Sequence, residues 1–135
     1  MTNPENYKYT KEHQWLFHEG DLSKVGITSY AIEQLGDVVH IELPSVGKSF
    51  KAGETMGTVE STKTVSDIYI PISGTVTEVN TLLIETPEIL GEDPYGKGWL
   101  IKVRPTEDNN LLMNSQDYEN YIKDWAGVIH SNPPI

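Results

Sequence analysis

Short runs of alternating apolar and polar residues, broken by Gly and Pro, dominate this chain, and the pattern predicts strands. Gln14–His18 and Lys24–Thr28 flank the turn signal Glu19-Gly20-Asp21, which predicts a hairpin. Val39, Ile41 and Leu43 alternate with His40 and Glu42, the period-2 mark of a half-buried strand. Pro44, which lacks a ladder N–H, stops that strand. Thr55–Ser61, Asp67–Ile70, Gly74–Asn80 and Gly98–Val103 read as further short strands. Their spacing of roughly 8–12 residues is that of an all-β sandwich or barrel. Two helices interrupt the strands. Ser29–Leu35 is a short one closed by Gly36 as its C-cap. Gln116–Ala126 is the stronger, with Asn114 or Ser115 as N-cap. There Tyr118, Tyr121, Ile122 and Trp125 recur at i, i+3, i+4 and i+7, a stripe for docking on the sheet. Gly127 follows as a stop signal, and Ser131–Ile135, with two consecutive prolines, should form a loose tail.

Length and charge narrow the function classes. With 135 residues the chain has the size of one domain, able to bury roughly two-thirds of its unfolded surface without metals or disulfides. The formal net charge of −10 argues against nucleic acid, where binding rests on neutralising phosphates with clustered Lys and Arg. An anionic membrane surface would repel the chain for the same reason. Without cysteine, disulfides, thiolate metal sites and Cys nucleophiles drop out. No apolar run approaches the roughly 18 residues of a membrane helix. Residues 1–10 carry neither a signal-peptide core nor an Arg-rich transit pattern. A reducing location is expected: bacterial cytoplasm, or the mitochondrial matrix if the chain is a processed form.

The informative stretch is Thr58–Val76, T-V-E-S-T-K-T-V-S-D-I-Y-I-P-I-S-G-T-V. Two extended segments flank Thr62–Ser66, which places Lys63 at the tip of a protruding turn, with Glu60 three residues before it and Asp67 four after. An accessible, unpaired and rigidly presented amine is what an enzyme needs to acylate one lysine and ignore the others. An ordinary solvated hairpin lysine fits the same local residues, and local chemistry does not separate the two. Other constellations are weaker. Gly91–Gly98, G-E-D-P-Y-G-K-G, lacks the Ser or Thr that completes a phosphate loop, and Glu92 and Asp93 would repel phosphate. It reads better as a loop ahead of a strand at Trp99–Val103. His13, His18, His40 and His130 show no metal-ligand spacing; His18 and His40 read as strand or surface residues, and His13, beside Trp15, as a hydrogen-bonded packing residue or a functional one. No nucleophile-elbow G-x-S-x-G occurs. The Tyr and Trp residues at helical spacing near the C-terminus read as core.

Six ordered blocks then make the pattern specific. The Lys63 stretch resembles the lipoyl-attachment motif of the glycine cleavage system H-protein family, approximately V-E-S-V-K-A-A-S-D-I-Y-x-P-V-S-G-x-V. Tyr9–Trp15 (Y-T-K-E-H-Q-W), Gly26–Tyr30 (G-I-T-S-Y), Leu35–Val39 (L-G-D-V-V), Glu42–Pro44 followed by Val46-Gly47, and Asp93–Leu100 (D-P-Y-G-K-G-W-L) resemble the family in order and spacing. The resemblance spans residues 9–126, leaving 1–8 as an N-terminal tail and 127–135 as a C-terminal one. It implies a barrel-sandwich hybrid of antiparallel sheets, like lipoyl and biotinyl domains, with a short helix at 29–35 and a C-terminal helix at 115–126. It implies a monomeric carrier with no catalytic residues and no metal, bearing lipoate in amide linkage on Lys63, with Glu60 and Asp67 flanking. The implied partners are the P protein (a pyridoxal-phosphate decarboxylase that supplies an aminomethyl group from glycine), the T protein (which passes the one-carbon unit to tetrahydrofolate), the L protein (dihydrolipoyl dehydrogenase) and lipoylating enzymes.

Three departures from the family pattern stand out. Thr62 replaces the usual aliphatic, and Thr64-Val65 replaces two alanines; both changes keep small or β-branched residues at the turn. Gln14 stands where the family has a Glu that lines the cleft in which the loaded arm rests. An amide there still hydrogen-bonds but offers no counter-charge to an ammonium. The nearest alternative is a lipoyl carrier of the same shape that donates lipoyl groups to 2-oxoacid dehydrogenases or serves sulfur metabolism. A Schiff-base enzyme would need a desolvated lysine, whereas Ser61, Thr62, Thr64 and Ser66 surround this one. A biotin carrier would place methionines beside the lysine, and none is adjacent.

Overall fold

A computed structural model describes residues 4–107 and 112–126. Strands β1 (Lys8–Tyr9), β2 (Gln14–Glu19), β3 (Leu22–Ile27), β5 (Ser49–Phe50), β8 (Gly74–Val79) and β9 (Ile101–Pro105) build one sheet in the order β1-β2-β3-β9-β8-β5. Strands β4 (Val38–Glu42), β6 (Thr55–Ser61) and β7 (Val65–Tyr69) build a second sheet in the order β4-β6-β7. Every pairing in both sheets is antiparallel. The all-β expectation holds; among the described residues the pairing closes no barrel.

Buried Leu16, Val25, Ile41, Val59, Ile68, Val76, Ile101 and Val103, drawn from both sheets, share one core with Ala31, Ile32 and Leu35 of α1 (Ser29–Leu35). Helix α1 forms where its caps put it. Thr28 Oγ1 accepts from Ala31 N–H at 3.3 Å, and Gly36, at φ +82°, donates its N–H to Ile32 O at 3.0 Å. A second, aromatic cluster gathers Tyr9, Trp15 and Tyr118, with Tyr7, Phe17 and Tyr95 packed against it. Gly26, the register partner of Trp15, makes room for the indole, since a Cβ at that position would overlap it. Packed structure therefore begins upstream of residue 9: Tyr7 lies 4.9 Å from Trp15 and 4.8 Å from Phe17, centroid to centroid. Helix α4 (Ser115–Ala126) closes this side, with Asn114 as its cap through Asp117 N–H to Asn114 Oδ1 at 2.8 Å. Tyr118 is fully buried and Tyr121 and Ile122 pack beside it; the side chain of Trp125 and the whole of 127–135 lie outside the described residues.

Four sequence expectations are corrected. Val39 does not face the core: a bulge between Val38 and His40 shifts the β4 register, so Val38 is buried and Val39 is 49% exposed. Strand β7 starts at Val65, two residues before Asp67. Strand β9 starts at Ile101, because Gly98 N–H turns back to Asp93 O at 2.8 Å and Asn80 Nδ2 holds the Lys97 and Trp99 carbonyls at 2.8 and 2.7 Å. Two short helices, α2 (Thr81–Glu85) and α3 (Ile89–Glu92), occupy a stretch the apolar pattern left unassigned.

Candidate functional site

Lys63 sits on the β6–β7 hairpin, and four consecutive backbone donors lock its turn. Ser61 N–H donates to Thr64 O at 2.8 Å, Thr62 N–H to Asp37 O at 3.0 Å, and Lys63 and Thr64 N–H both to Ser61 Oγ at 3.2 Å. Ser61 is buried, while Thr62, Lys63, Thr64 and Val65 are exposed. A single buried hydroxyl thus replaces the backbone partners that the two tip residues lack. The Lys63 side chain is not unpaired, as its exposed position suggested: Nζ donates to Gln34 O, near the C-terminal end of α1, at 3.0 Å. That bond is itself solvent-exposed, so the amine stays within reach of an enzyme.

The flanking acids lie on the outer face of the three-stranded sheet. His40, Glu60 and Val65 form one register row, and Glu42, Thr58 and Asp67 form the next. Glu60 and Asp67 are exposed, and neither pairs with Lys63 among the described residues. Glu42 Oε1 faces His40 Nε2 at 3.7 Å. The face beside Lys63 is therefore acidic, with Val65 (62% exposed) as its apolar element. On the other side of the turn a groove of about 630 Å³ runs between α1, α3 and Thr62, floored by Ile32 and Val39 and rimmed by Asp37, Glu88 and Glu92.

Gln14 lies elsewhere. It is buried, with Nε2 donating to Glu12 O at 2.8 Å and Oε1 accepting from Thr10 Oγ1 at 3.1 Å. It borders a cavity of about 290 Å³ with Tyr69, Ile70 and Leu112, approached from the far end of β7. His13 is a packing residue: Nδ1 lies 2.6 Å from the Tyr118 hydroxyl, which is 2.8 Å from Thr28 Oγ1. Burial pushes the Tyr118 phenol well above its ordinary range, so it stays protonated and can donate. His18 Nδ1 lies 2.9 Å from Ser23 Oγ. His130 is outside the described residues. Among the described residues no three His, Asp or Glu side chains converge on a metal-sized site. In the Gly91–Gly98 loop Asp93 Oδ2 accepts from Lys97 N–H at 2.9 Å, so a carboxylate already occupies the turn's interior.

The arrangement can present one primary amine on a stiff, exposed turn with open space on both sides. Those are the requirements for carrying an acyl-linked arm, and the residues present fit one. The turn's dependence on Ser61 and the contact with Gln34 O were not anticipated; a hydroxyl two residues before the lysine was the one signal available.

Comparison with known proteins agrees in coverage and kind. The family model described as glycine cleavage H-protein matches residues 7–125. A glycine cleavage system H protein of Herpetosiphon aurantiacus is 51% identical over 127 residues, covering 93% of this chain and 98% of that protein. One from Bacteroides thetaiotaomicron is 52% identical over 124 residues, covering 90% and 98% respectively. The crystal structure of a glycine cleavage system H protein from Mycobacterium marinum superposes with a TM-score of 0.83 at 42% identity, covering 93% of this chain and all of that one.

Proposed function

Because this chain belongs to the glycine cleavage H-protein family, we propose that it is the lipoylated carrier of the glycine cleavage system, with the lipoyl group in amide linkage to Lys63 Nζ. The observation that carries this reading is Lys63 itself: an exposed amine on a turn whose four backbone donors are all engaged, at the attachment position of the family motif. Lys63 Nζ would hold the lipoyl group, which would supply a disulfide–dithiol couple for carrying the aminomethyl group of glycine between the P protein, the T protein and dihydrolipoyl dehydrogenase.

The chain's own contribution is mechanical and electrostatic. The locked turn fixes the root of the tether, so the span reached by its end is set by the arm alone, and tethering keeps the cargo at high effective concentration between sites. Glu42, Glu60 and Asp67 on the outer face, within a net charge of −10, steer the carrier to basic docking faces and keep each visit short. Glu60 and Asp67 flank the amine as features that a lipoylating enzyme reads. No residue of the chain performs the chemistry, and the carrier works as a monomer.

Glycine–carboxyl exchange with a P protein tests the reading. Lipoylated protein should support exchange in proportion to its concentration, and the unmodified protein and Lys63→Arg should support none. Equal exchange with unmodified protein would overturn it.

A further inference from the structure

The α1–β4 corner meets the Lys63 turn through two hydrogen bonds, one from Lys63 and one from its neighbour Thr62. Gln34 O accepts from Lys63 Nζ at 3.0 Å, and Asp37 O accepts from Thr62 N–H at 3.0 Å. Between them lies Gly36, at φ +82°, over which the lysine side chain passes. A Cβ at that position would lie 3.4 Å from Lys63 Cε and 3.8 Å from Nζ. Gln34 O is among the last carbonyls of α1, where the helix leaves acceptors unsatisfied and its dipole favours a cation. The backbone bond to Asp37 O fastens the turn, and the ammonium bond to Gln34 O lays the side chain across Gly36, where a Cβ would make ordinary van der Waals contact and a larger side chain would fill the lane.

We propose that the Gln34–Asp37 corner is a positioning site for the Lys63 amine, which holds the unmodified side chain in one direction for the acylating enzyme and so singles out this lysine. The proposal rests on Lys63 being the acylated residue. Acylation by an activated carboxyl donor forms the N–C bond as the donor's carbonyl–leaving-group bond breaks, the leaving group keeping that electron pair. The nitrogen gives up two protons on passing from ammonium to secondary amide. The product keeps one N–H and no charge, so the corner holds the modified lysine less firmly than the free one. One contact therefore orients the substrate lysine and then lets the finished arm go.

The test uses the full chain, a purified lipoate ligase with lipoate and ATP, and two substitutions at one position. Gly36→Ala imposes the backbone strain of a non-glycine residue at positive φ and adds a methyl at van der Waals distance. Gly36→Leu imposes the same strain and also fills the lane. Thermal melts show that each variant is folded at the assay temperature. Gly36→Leu should lower kcat/KM for acylation of Lys63 about three- to tenfold below Gly36→Ala, the range that one hydrogen bond converts to. Nitrogen-15 spectra of the parent should show the Lys63 ammonium exchanging more slowly than those of exposed Lys8 and Lys51. That protection should be lost in Gly36→Leu. Equal kcat/KM for the two variants, or a Lys63 ammonium in the parent as fast-exchanging as those of Lys8 and Lys51, would overturn the positioning role. The ammonium spectra decide alone if Gly36→Leu does not fold. Failure of the underlying reading looks different: the parent would take up no lipoyl group at Lys63.

Discussion

Removing one hydroxyl, by Tyr118→Phe, should destabilise the fold without touching the Lys63 turn. The Tyr118 oxygen lies 2.6 Å from His13 Nδ1 and 2.8 Å from Thr28 Oγ1, and all three residues are fully buried. The ring loses nothing, since phenylalanine keeps its stacking on Tyr9, at 4.8 Å between centroids and 12° between planes. The cost is therefore the two hydrogen bonds and the desolvated partners they leave. A buried polar group deprived of its partner costs about 1–3 kcal/mol. We expect about 2 kcal/mol in total, because the Thr28 hydroxyl keeps its contact with Ala31 N–H. At this chain length 1 kcal/mol moves Tm by about 4 °C, so Tm should fall by about 8 °C. Urea melts followed by tryptophan fluorescence give the free energy, and scanning calorimetry gives Tm. Tyr9→Phe is the control, since its hydroxyl donates to one carbonyl, Pro4 O, among the described residues and should cost less. A loss below about 0.5 kcal/mol for Tyr118→Phe, or one no larger than that of Tyr9→Phe, would show that the His13–Tyr118–Thr28 hydrogen bonds do not hold the fold.

Three further outcomes are expected. Lys63→Arg should abolish lipoylation while changing stability by no more than about 0.5 kcal/mol, because the turn is held by backbone donors and Ser61 rather than by the lysine side chain; a large drop in Tm would make Lys63 structural. Glu60→Ala, at an exposed strand position, should slow lipoylation by a purified ligase with no measurable change in Tm, and equal rates would remove Glu60 from recognition. The Lys102 ammonium hydrogen-bonded to Glu19, assisted by Lys24, holds the Glu19 carboxyl below its ordinary value of 4.5. Its stabilisation is therefore fully present above pH 4.5 and is lost as pH falls through the lowered value. Glu19→Gln should lower Tm slightly at pH 7 in low salt and match the parent at pH 2; a gap that persists at pH 2 would contradict the assignment.

What could be read from sequence tracks how local each feature's cause is. Helix α1 falls on Ser29–Leu35 as expected because Thr28 and Gly36, its caps, are chain neighbours. The β2–β3 hairpin falls where Glu19-Gly20-Asp21 puts it, with Gly20 at φ +62°. Val39 was misread because a bulge is a tertiary adjustment that leaves the apolar alternation in the sequence intact. Helix α2, five residues without a side-chain cap, owes its start to Asn80, whose side chain is anchored on carbonyls 17 and 19 residues away. At the site, residue types located Lys63 on a turn but did not separate an acylation target from an ordinary lysine; the expectation of acylation came from the ordered family blocks. Gln34 O could not be foreseen, because any residue type supplies a carbonyl and this one lies 29 residues from its donor.

Peptide mapping of protein purified from its native source shows whether Lys63 bears the lipoyl group. After proteolysis, mass spectrometry should place one lipoyl amide on the peptide containing Lys63, with every other lysine unmodified. A lipoyl group on another lysine, a biotinyl group at Lys63, or a fully unmodified Lys63 in protein that sustains glycine cleavage would show that Lys63 is not the lipoyl-bearing residue.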